Sequence, residues 1–458
     1  MSIIAGSLDL PAECRPRVGC FDGHSPRLNE RVIDDQWTGY LAEYTELIRI
    51  PPVRFAKVFG GSLRQFSKQP VSSLPQASER LARLCEEYGI NTLYVNAPYF
   101  MPYLMLVRSF AKLPLRFMVI AHSVASARWL TTWLSCAPWI TEQDVLLAST
   151  ESCRQALVNI SPRYAHTHKI PLCIDTVLAA EPVRPLAGKR LLSIGRLEEV
   201  KNIHVLLEAM AEIKQRVPDT VLTIAGEYTG SVQEADRYQE RLEAIVAEYR
   251  LEQAVEFTGP VHGSEKDRLF RESRLLVNLS TDPGETFGFN LLEAKAYGLP
   301  VVCTSWDGFR ELLVDGGDGS FVQVDWSGEQ PKIDLDGLVR SCTGVLLDEK
   351  LHGKLSQGAR LGALRYDYRT IMPQIRRLLN APLGQIAGEA EETALLEASM
   401  STLNEIYHCS LLEATGCLSE SPLSVLDWQP PGDTEEWMRR VKPLIQHFAG
   451  GRNHHAHV

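Results

Sequence analysis

The sequence of 458 residues lacks the patterns that mark several protein classes. No uninterrupted apolar run reaches ~18 residues, so we expect no membrane-spanning helix. No basic stripe with interleaved aromatic residues accompanies the formal net charge of −10, which argues against nucleic-acid binding. The ten cysteines are scattered and form no C-x-x-C pair, so reduced thiols are favoured over disulfides or a zinc site.

The first residues, Met1-Ser-Ile-Ile-Ala-Gly-Ser, lack a charged segment followed by a long apolar one. No signal peptide is therefore expected, and the expected location is cytoplasmic. The composition, with 45% hydrophobic and 23% charged residues, is typical of a globular protein of two or more domains.

Strand-like and helix-like segments alternate in two successive stretches of the chain. Such alternation predicts two doubly wound parallel sheets with flanking helices, so the fold class is α/β. Between the stretches, the proline-containing segment 171–188 predicts an interdomain linker. Open α/β sheets bind ligands beyond the carboxyl ends of their strands, so we expect a cleft there. The predicted strands include residues 17–21, 92–96, 117–121, 145–149, 190–194, 220–225, 254–258 and 301–303.

Other segments carry weaker patterns. Residues 37–50 have helical spacing, and residues 53–58 have the character of a strand. Beyond Asp367 the character changes, and residues 369–379, 391–415 and 434–448 have helical patterns. Trp129, Trp133 and Trp139 recur at roughly helical spacing, which favours core packing over an acceptor surface or a face that rests on a membrane.

Two carboxylates, Glu285 and Glu293, lie on either side of a Phe-Gly-Phe turn between a predicted strand and a predicted helix. The turn offers free backbone N–H groups and the positive end of a helix dipole, where phosphates commonly bind. A residue at the helix start and one in its body can project toward one cleft, so one carboxylate would bind sugar hydroxyls and the other a ribose. The alternative is a solvated Glu285 and a Glu293 that caps or pairs.

A glycine and two cations follow the first strand of the second half. Gly195 permits close approach of a ligand, Arg196 offers a planar fork and Lys201 a compact charge, which suits a diphosphate. The alternative is two surface cations that pair with Glu198 and Glu199.

Four motifs occur in order in the second half: Leu191-Leu-Ser-Ile-Gly-Arg-Leu-Glu-Glu-Val-Lys-Asn, Ile224-Ala-Gly-Glu, Val255-Glu-Phe-Thr-Gly-Pro-Val and Glu285-Thr-Phe-Gly-Phe-Asn-Leu-Leu-Glu. With them, the chain resembles the retaining nucleotide-sugar glycosyltransferases of family 4, also called glycosyl transferases group 1. The resemblance implies the GT-B fold, with two Rossmann-like domains. It implies an acceptor domain at 1–178, a nucleotide-sugar donor domain at 179–366, and a crossover helix with a helical C-terminal extension at 367–458.

The resemblance also implies residue roles. Arg196 and Lys201 would hold the donor diphosphate, Glu285 the sugar hydroxyls and Glu293 the ribose. His122, which ends an apolar strand, would face the donor sugar, although such a histidine on its own is more often structural. The remaining residues implied to bind the donor are Gly195, Val261, Thr286, Phe287, Gly288, Phe289 and Leu292.

The implied activity is transfer of a glycosyl unit from a UDP- or GDP-sugar to an unknown acceptor hydroxyl, with retention. No Asp-x-Asp motif is placed to hold a metal–diphosphate, which agrees with the metal-independent chemistry that the family implies, and no other cofactor is expected. The usual glycine-rich loop after the first strand is not recognisable, and Glu227-Tyr-Thr-Gly replaces the usual glycines after Gly226. Alternatives are a nucleotide-sugar epimerase or a phosphorylase on the same fold, and a non-catalytic nucleotide-sugar-binding protein.

Overall fold

A computed structural model describes most of the chain up to residue 384. The described residues are 15–21, 28–66, 70–97, 100–124, 129, 132–133, 136–160, 162–177, 188–282, 285–325 and 331–384. The helices predicted at 391–415 and 434–448 lie outside them.

The first sheet has six strands in the order β2-β1-β3-β4-β5-β6, and its registered strand pairs are parallel. Its strands are β1 Arg17–Phe21, β2 Glu46–Ile50, β3 Thr92–Tyr94, β4 Arg116–Ala121, β5 Val145–Ala148 and β6 His168–Lys169. The helices of this part of the chain are α1 Leu28–Tyr44, α2 Pro52–Val58, α3 Leu63–Phe66, α4 Pro70–Tyr88, α5 Met101–Ala111 and α6 Glu151–Ile160.

The second sheet also has six parallel strands, in the order β12-β11-β10-β7-β8-β9. They are β7 Lys189–Ile194, β8 Thr220–Ala225, β9 Val255–Gly259, β10 Leu275–Asn278, β11 Val301–Thr304 and β12 Gly319–Val322. A short antiparallel pair, β13 Val324–Asp325 and β14 Lys332–Ile333, follows. The helices are α7 Ile203–Arg216, α8 Val232–Glu248, α9 Gly263–Glu272, α10 Phe289–Ala296, α11 Phe309–Leu312, α12 Leu335–Leu347, α13 Glu349–Ala363 and α14 Tyr368–Leu379.

Two compact units emerge from the contacts. The first contains the chain up to Ile120, residues 135–146 and the segment from Ile371; the second contains residues 121–134 and 147–370. The central strands β10 and β11 are buried along their whole length, as parallel strands covered on both faces should be. No helix in the described part of the chain is long and apolar enough to cross a membrane.

Two predictions near the N-terminus are wrong. Residues 53–58 are helical, because the fixed φ of Pro52 suits the first turn of a helix. Phe55 and Val58, three positions apart, lie on one face of this helix and bury it. Residues 46–50, predicted as the end of a helix, form β2, because all five pair in register with β1. That pairing outweighs their helical spacing.

Candidate active site

The candidate site is built from loops that leave the second sheet at the carboxyl ends of its parallel strands. Asn290, near the start of α10, holds two of these ends together. Its Nδ2 donates to the carbonyl of Ile194 at 2.7 Å, and its Oδ1 accepts from Asn278 Nδ2 at 3.1 Å. Because β7 ends at Ile194 and β10 ends at Asn278, this side chain fixes the helix start against both strands.

Gly226 brings the ends of β7 and β8 into backbone contact. A Cβ at this position would lie 1.7 Å from the carbonyl oxygen of Gly195, and Gly226 has a φ of +155°. No other residue fits there without moving the backbone. Gly195 thus follows the carboxyl end of β7, and Arg196 comes directly after it.

Lys201 ends a short 3₁₀ turn, and its side chain is only 11% exposed. Its Nζ lies 3.2 Å from the hydroxyl of Ser280 and 3.2 Å from Oδ2 of Asp282, and it also contacts Oε2 of Glu285. The next residue, Asn202, fixes this arrangement by donating to the carbonyl of Leu279 at 2.8 Å. The ammonium group is thus held over the loop that follows β10.

The carboxylates keep the ammonium group of Lys201 charged. Burial by itself lowers the pKa of Lys201, but the charges of Glu285 and Asp282 outweigh it and raise the pKa above its usual value. Arg196 opposes them in part. Lys201 therefore stays positively charged at neutral pH.

Arg196 is more exposed than Lys201, at 40%. It donates to Oε1 of Glu198 at 2.8 Å and to Oδ2 of Asp282 at 3.3 Å. The predicted alternative of a pair with Glu198 is thus real, but the other acid named in that alternative, Glu199, pairs with Arg241 instead. Arg196 and Lys201 meet at one oxygen atom, Oδ2 of Asp282.

The turn before α10 depends on Gly288. It has a φ of +86°, and a Cβ there would lie 2.5 Å from the ring of Phe309. A side chain would therefore clash and strain the backbone at once. The turn places the start of α10 at Phe289, while Leu291 and Leu292 anchor the helix in the core. Phe287 is also buried and packs edge-on against Tyr366.

Thr286 links this turn to His122. Its hydroxyl donates to the carbonyl of His122, and its own carbonyl accepts from the hydroxyl of Thr150 at 3.1 Å. The backbone of His122 is thus next to the residue that follows Glu285. The predicted role of the His122 side chain stays a prediction.

Glu293 lies on α10 and is 19% exposed. Its Oε1 accepts from Nζ of Lys266, on α9, at 2.6 Å. Burial raises the pKa of Glu293, and Lys266 offsets only part of that rise. The predicted pairing of Glu293 is thus present, with a partner that the sequence pattern did not indicate. Val261, which follows β9, is buried.

Three further residues belong to the site and were not predicted: Asp282, Lys266 and Asn290. Asn290 lies within the Glu285–Glu293 motif but was given no role. Asp282 and Lys266 belong to no motif, since Asp282 is 81 positions from Lys201, and Lys266 is 27 positions from Glu293. The three tryptophans are separate from this cluster. Trp133 and Trp139 are buried, which confirms their core packing, whereas Trp129 stacks on Trp133 and is half-buried.

Comparison with known proteins agrees with this architecture. Residues 178–360 match the family described as Glycosyl transferases group 1. A phosphatidyl-myo-inositol mannosyltransferase of Mycobacterium tuberculosis is 31% identical over 221 residues, covering 47% of this chain and 54% of the relative. A D-inositol 3-phosphate glycosyltransferase of Corynebacterium urealyticum is 30% identical over 196 residues, covering 42% and 43%. The chain thus spans about half the length of the curated relatives it matches.

Solved structures share the fold at low sequence identity. HepE of Anabaena, in complex with UDP, superposes with a TM-score of 0.62 and 18% identity, covering 80% of this chain and all of HepE. A sucrose-phosphate synthase of Thermosynechococcus elongatus gives a TM-score of 0.58 and 18% identity, covering 80% of this chain and 98% of the synthase. The chain therefore has the GT-B fold, and its residues 178–360 match the glycosyl transferases group 1 family.

Proposed function

We propose that this protein is a retaining glycosyltransferase that moves a sugar from a nucleoside diphosphate sugar to an acceptor hydroxyl. The supporting observation is that Arg196 and Lys201 converge on one oxygen atom, Oδ2 of Asp282, at 3.3 Å and 3.2 Å. Two cations around one anionic oxygen are the arrangement that a phosphoryl oxygen requires. In this proposal the donor diphosphate takes the place of that carboxylate oxygen.

The ion pairs of the cluster define what a diphosphate would have to displace. The cluster contains two cations, Arg196 and Lys201, and three carboxylates, Glu198, Asp282 and Glu285, so the carboxylates outnumber the cations. Arg196 is exposed enough to turn toward a ligand, whereas Lys201 is held in place. The diphosphate would then accept from both cations, and the N-terminus of α10 would add its dipole.

The two glutamates would divide the rest of the donor between them. Glu285 contacts Lys201 directly, so its carboxylate is next to the proposed position of the diphosphate and suits the sugar hydroxyls. Glu293 lies in the second turn of α10, beyond Glu285 in the chain, and suits the ribose. Lys266 would keep Glu293 ionised and oriented while it accepts from the ribose hydroxyls.

The reaction forms a bond between the acceptor oxygen and the anomeric carbon as the bond from that carbon to the β-phosphate oxygen breaks. The acceptor proton passes to the departing phosphate oxygen on the same face of the sugar, which retains the configuration. Charge grows on the β-phosphate in the transition state, and Lys201, held in place, would stabilise it together with Arg196 once Arg196 has turned toward the ligand. These cations would neutralise the diphosphate without a metal ion. His122 would face the donor sugar, its carbonyl held by Thr286.

The donor base, the sugar and the acceptor stay open within this proposal. The solved relatives include complexes with UDP and with UDP-glucose, and the curated relatives include a mannosyltransferase. UDP-glucose and GDP-mannose are therefore the first donors to test. The names of both curated relatives contain inositol, so inositol and its phosphates are the first acceptors to test. We propose a cytoplasmic location, with peripheral membrane contact if the acceptor is a lipid.

Product analysis by NMR tests the function. Each donor is incubated with the full chain and the acceptor, and the anomeric coupling of the product shows whether the configuration is retained. Lys201→Gln should lose turnover, whereas Lys354→Gln, at an exposed lysine outside the site, should not. An inverted product, or donor conversion that needs no acceptor, would contradict the proposal.

A further inference from the structure

A pocket of about 450 Å³ lies in the first unit, between α2, the turn that follows it and α4. None of its residues belongs to the candidate active site. It combines four cations with a single carboxylate, in a chain whose net charge is −10. The residues that line it are Arg54, Lys57, Val58, Gly60, Gly61, Arg80, Arg83, Leu84 and Glu87.

Two of the four cations have no carboxylate partner within the described residues. Arg54 pairs with Glu87, and Arg83 lies 3.6 Å from Glu79 on its own helix. No carboxylate of the described part of the chain lies within 4.0 Å of the charged nitrogens of Lys57 or Arg80. The pocket therefore keeps an excess of positive charge that the protein does not neutralise locally.

Arg54 adds a second, independent observation. Its Nε–H is buried and has no acceptor among the described residues. Its guanidinium is held by Glu87 and lies 5.7 Å from the centre of the Tyr88 ring, so the group is fixed rather than free to find another acceptor. A buried donor without an acceptor is costly, so the guanidinium of Arg54 is held at the pocket at a cost to the fold.

The turn at Gly60 and Gly61 keeps the pocket open. A Cβ at Gly60 would lie 3.3 Å from Nη1 of Arg80, and one at Gly61 would meet nothing within 4 Å. The guanidinium of Arg80 therefore packs close to the backbone of Gly60. A side chain at Gly61 would enter open space beside the pocket.

We propose that this pocket binds a phosphoryl group, carried either on a soluble sugar or polyol or on a lipid headgroup. Arginine forks match the oxygens of a phosphate, and a lysine adds a compact charge. Lys57 and Arg80, which have no carboxylate partner among the described residues, give two cationic groups to one dianion. The proposal goes beyond the proposed glycosyl transfer and does not depend on it, because the pocket shares no residue with that site.

Calorimetry with the full chain tests the proposal, with myo-inositol 1-phosphate as the soluble probe. Lys57→Gln and Arg80→Gln should each weaken binding about tenfold, the loss of one charge-assisted contact. Glu87→Gln should strengthen binding, because it removes the single carboxylate. Matched substitutions at exposed residues outside the pocket, Lys354→Gln and Arg237→Gln, should leave it unchanged.

A second arm distinguishes the two sources of the phosphoryl group. The chain is sedimented with phosphatidylcholine vesicles that contain or lack phosphatidylinositol 4-phosphate. A lipid source predicts sedimentation only with the phosphorylated lipid, lost in Lys57→Gln and Arg80→Gln. A soluble source predicts binding of myo-inositol 1-phosphate and no sedimentation with either kind of vesicle.

Absence of binding to both probes would overturn the proposal. So would unchanged binding in a folded Lys57→Gln/Arg80→Gln double variant. If that variant does not fold, Glu87→Gln decides, because affinity equal to that of the unaltered chain contradicts a site governed by the charge of the pocket.

Discussion

Oδ2 of Asp282 lies 3.2 Å from Nζ of Lys201, and the same oxygen atom accepts from Arg196 at 3.3 Å. The loop after β10 thus supplies an internal anion to the two cations that we assign to the donor diphosphate. Without a donor, carboxylates of the protein pair with both cations. Asp282 and a diphosphate would then compete for the same two side chains.

Asp282→Asn should therefore tighten the binding of UDP or GDP. The substitution keeps the size of the side chain and removes the competing charge. We expect Kd to fall about tenfold, which corresponds to the removal of one charge-assisted contact. Isothermal titration calorimetry measures it, with Asp219→Asn, an exposed acid paired with Lys189, as the control. Weaker binding in Asp282→Asn would mean that this carboxylate orients the cations instead of competing.

The two glutamates should respond differently to neutral substitution. Glu293→Gln should weaken the binding of the bare nucleoside diphosphate, because the ribose is common to all its sugars. Glu285→Gln should not weaken that binding and should depress kcat, because sugar contacts strengthen as the oxocarbenium ion forms. Calorimetry with the bare nucleotide and kinetics with the donor sugar separate the two effects. The opposite pattern would reverse the roles.

Acid should weaken nucleotide binding through Glu293. Burial raises its pKa, despite Lys266. The carboxylate accepts ribose hydroxyls only when it is ionised, so its contribution is present above this raised pKa and is lost as pH falls through it. The loss should begin at a higher pH than for a glutamate in water, whose pKa is about 4.3.

A matched variant isolates the titration of Glu293. The terminal phosphate of the ligand itself titrates near pH ~6, by analogy with phosphoserine. Glu293→Gln keeps that contribution and should lose only the part that belongs to the carboxylate. Parallel affinity curves against pH for the two proteins would show that Glu293 does not titrate with binding.

Breaking the buried pair of Arg108 and Asp144 should strongly destabilise the first unit. Two parallel contacts of 2.8 Å and 2.9 Å join the guanidinium to the carboxylate, and neither side chain is exposed. Asp144 also accepts from the backbone N–H of Phe117, at the start of β4. Asp144→Ala should lower the free energy of unfolding by about 3–5 kcal/mol, because it leaves a buried charge unpaired. Urea denaturation measures it.

Removing both partners provides the control. Arg108→Met/Asp144→Leu should recover much of the loss, since no charge then stays buried alone. If the double variant is as unstable as Asp144→Ala, the loss comes from packing and from the hydrogen bond to Phe117. The ion pair would then contribute little.

The strands of the second sheet were predicted well, because short local sequence patterns determine them. The strands at 190–194, 220–225 and 301–303 are short apolar runs between turn residues, and each forms close to its predicted bounds. At residues 46–50 the local pattern gives the wrong secondary structure. Their spacing fits a helix, and only the pairing with β1 makes them a strand.

The candidate site was predicted in part for the same reason. Gly195, Arg196, Lys201 and the carboxylates around Gly288 are close in sequence or belong to motifs. Asp282 and Lys266 belong to no motif, and only the packing of separate loops and helices brings them to Lys201 and Glu293.

The central claim is that Lys201 and Arg196 bind the diphosphate of the donor. Calorimetric titration of UDP and uridine, or of GDP and guanosine, into the unaltered chain and into Lys201→Gln tests it most directly, with EDTA present throughout. We predict that the unaltered chain prefers the diphosphate by at least a hundredfold, as two charge-assisted contacts should give, and that Lys201→Gln loses roughly tenfold of this preference. Equal affinity for diphosphate and nucleoside, a preference that Lys201→Gln leaves intact, or binding that appears only when Mg²⁺ replaces EDTA would contradict the account.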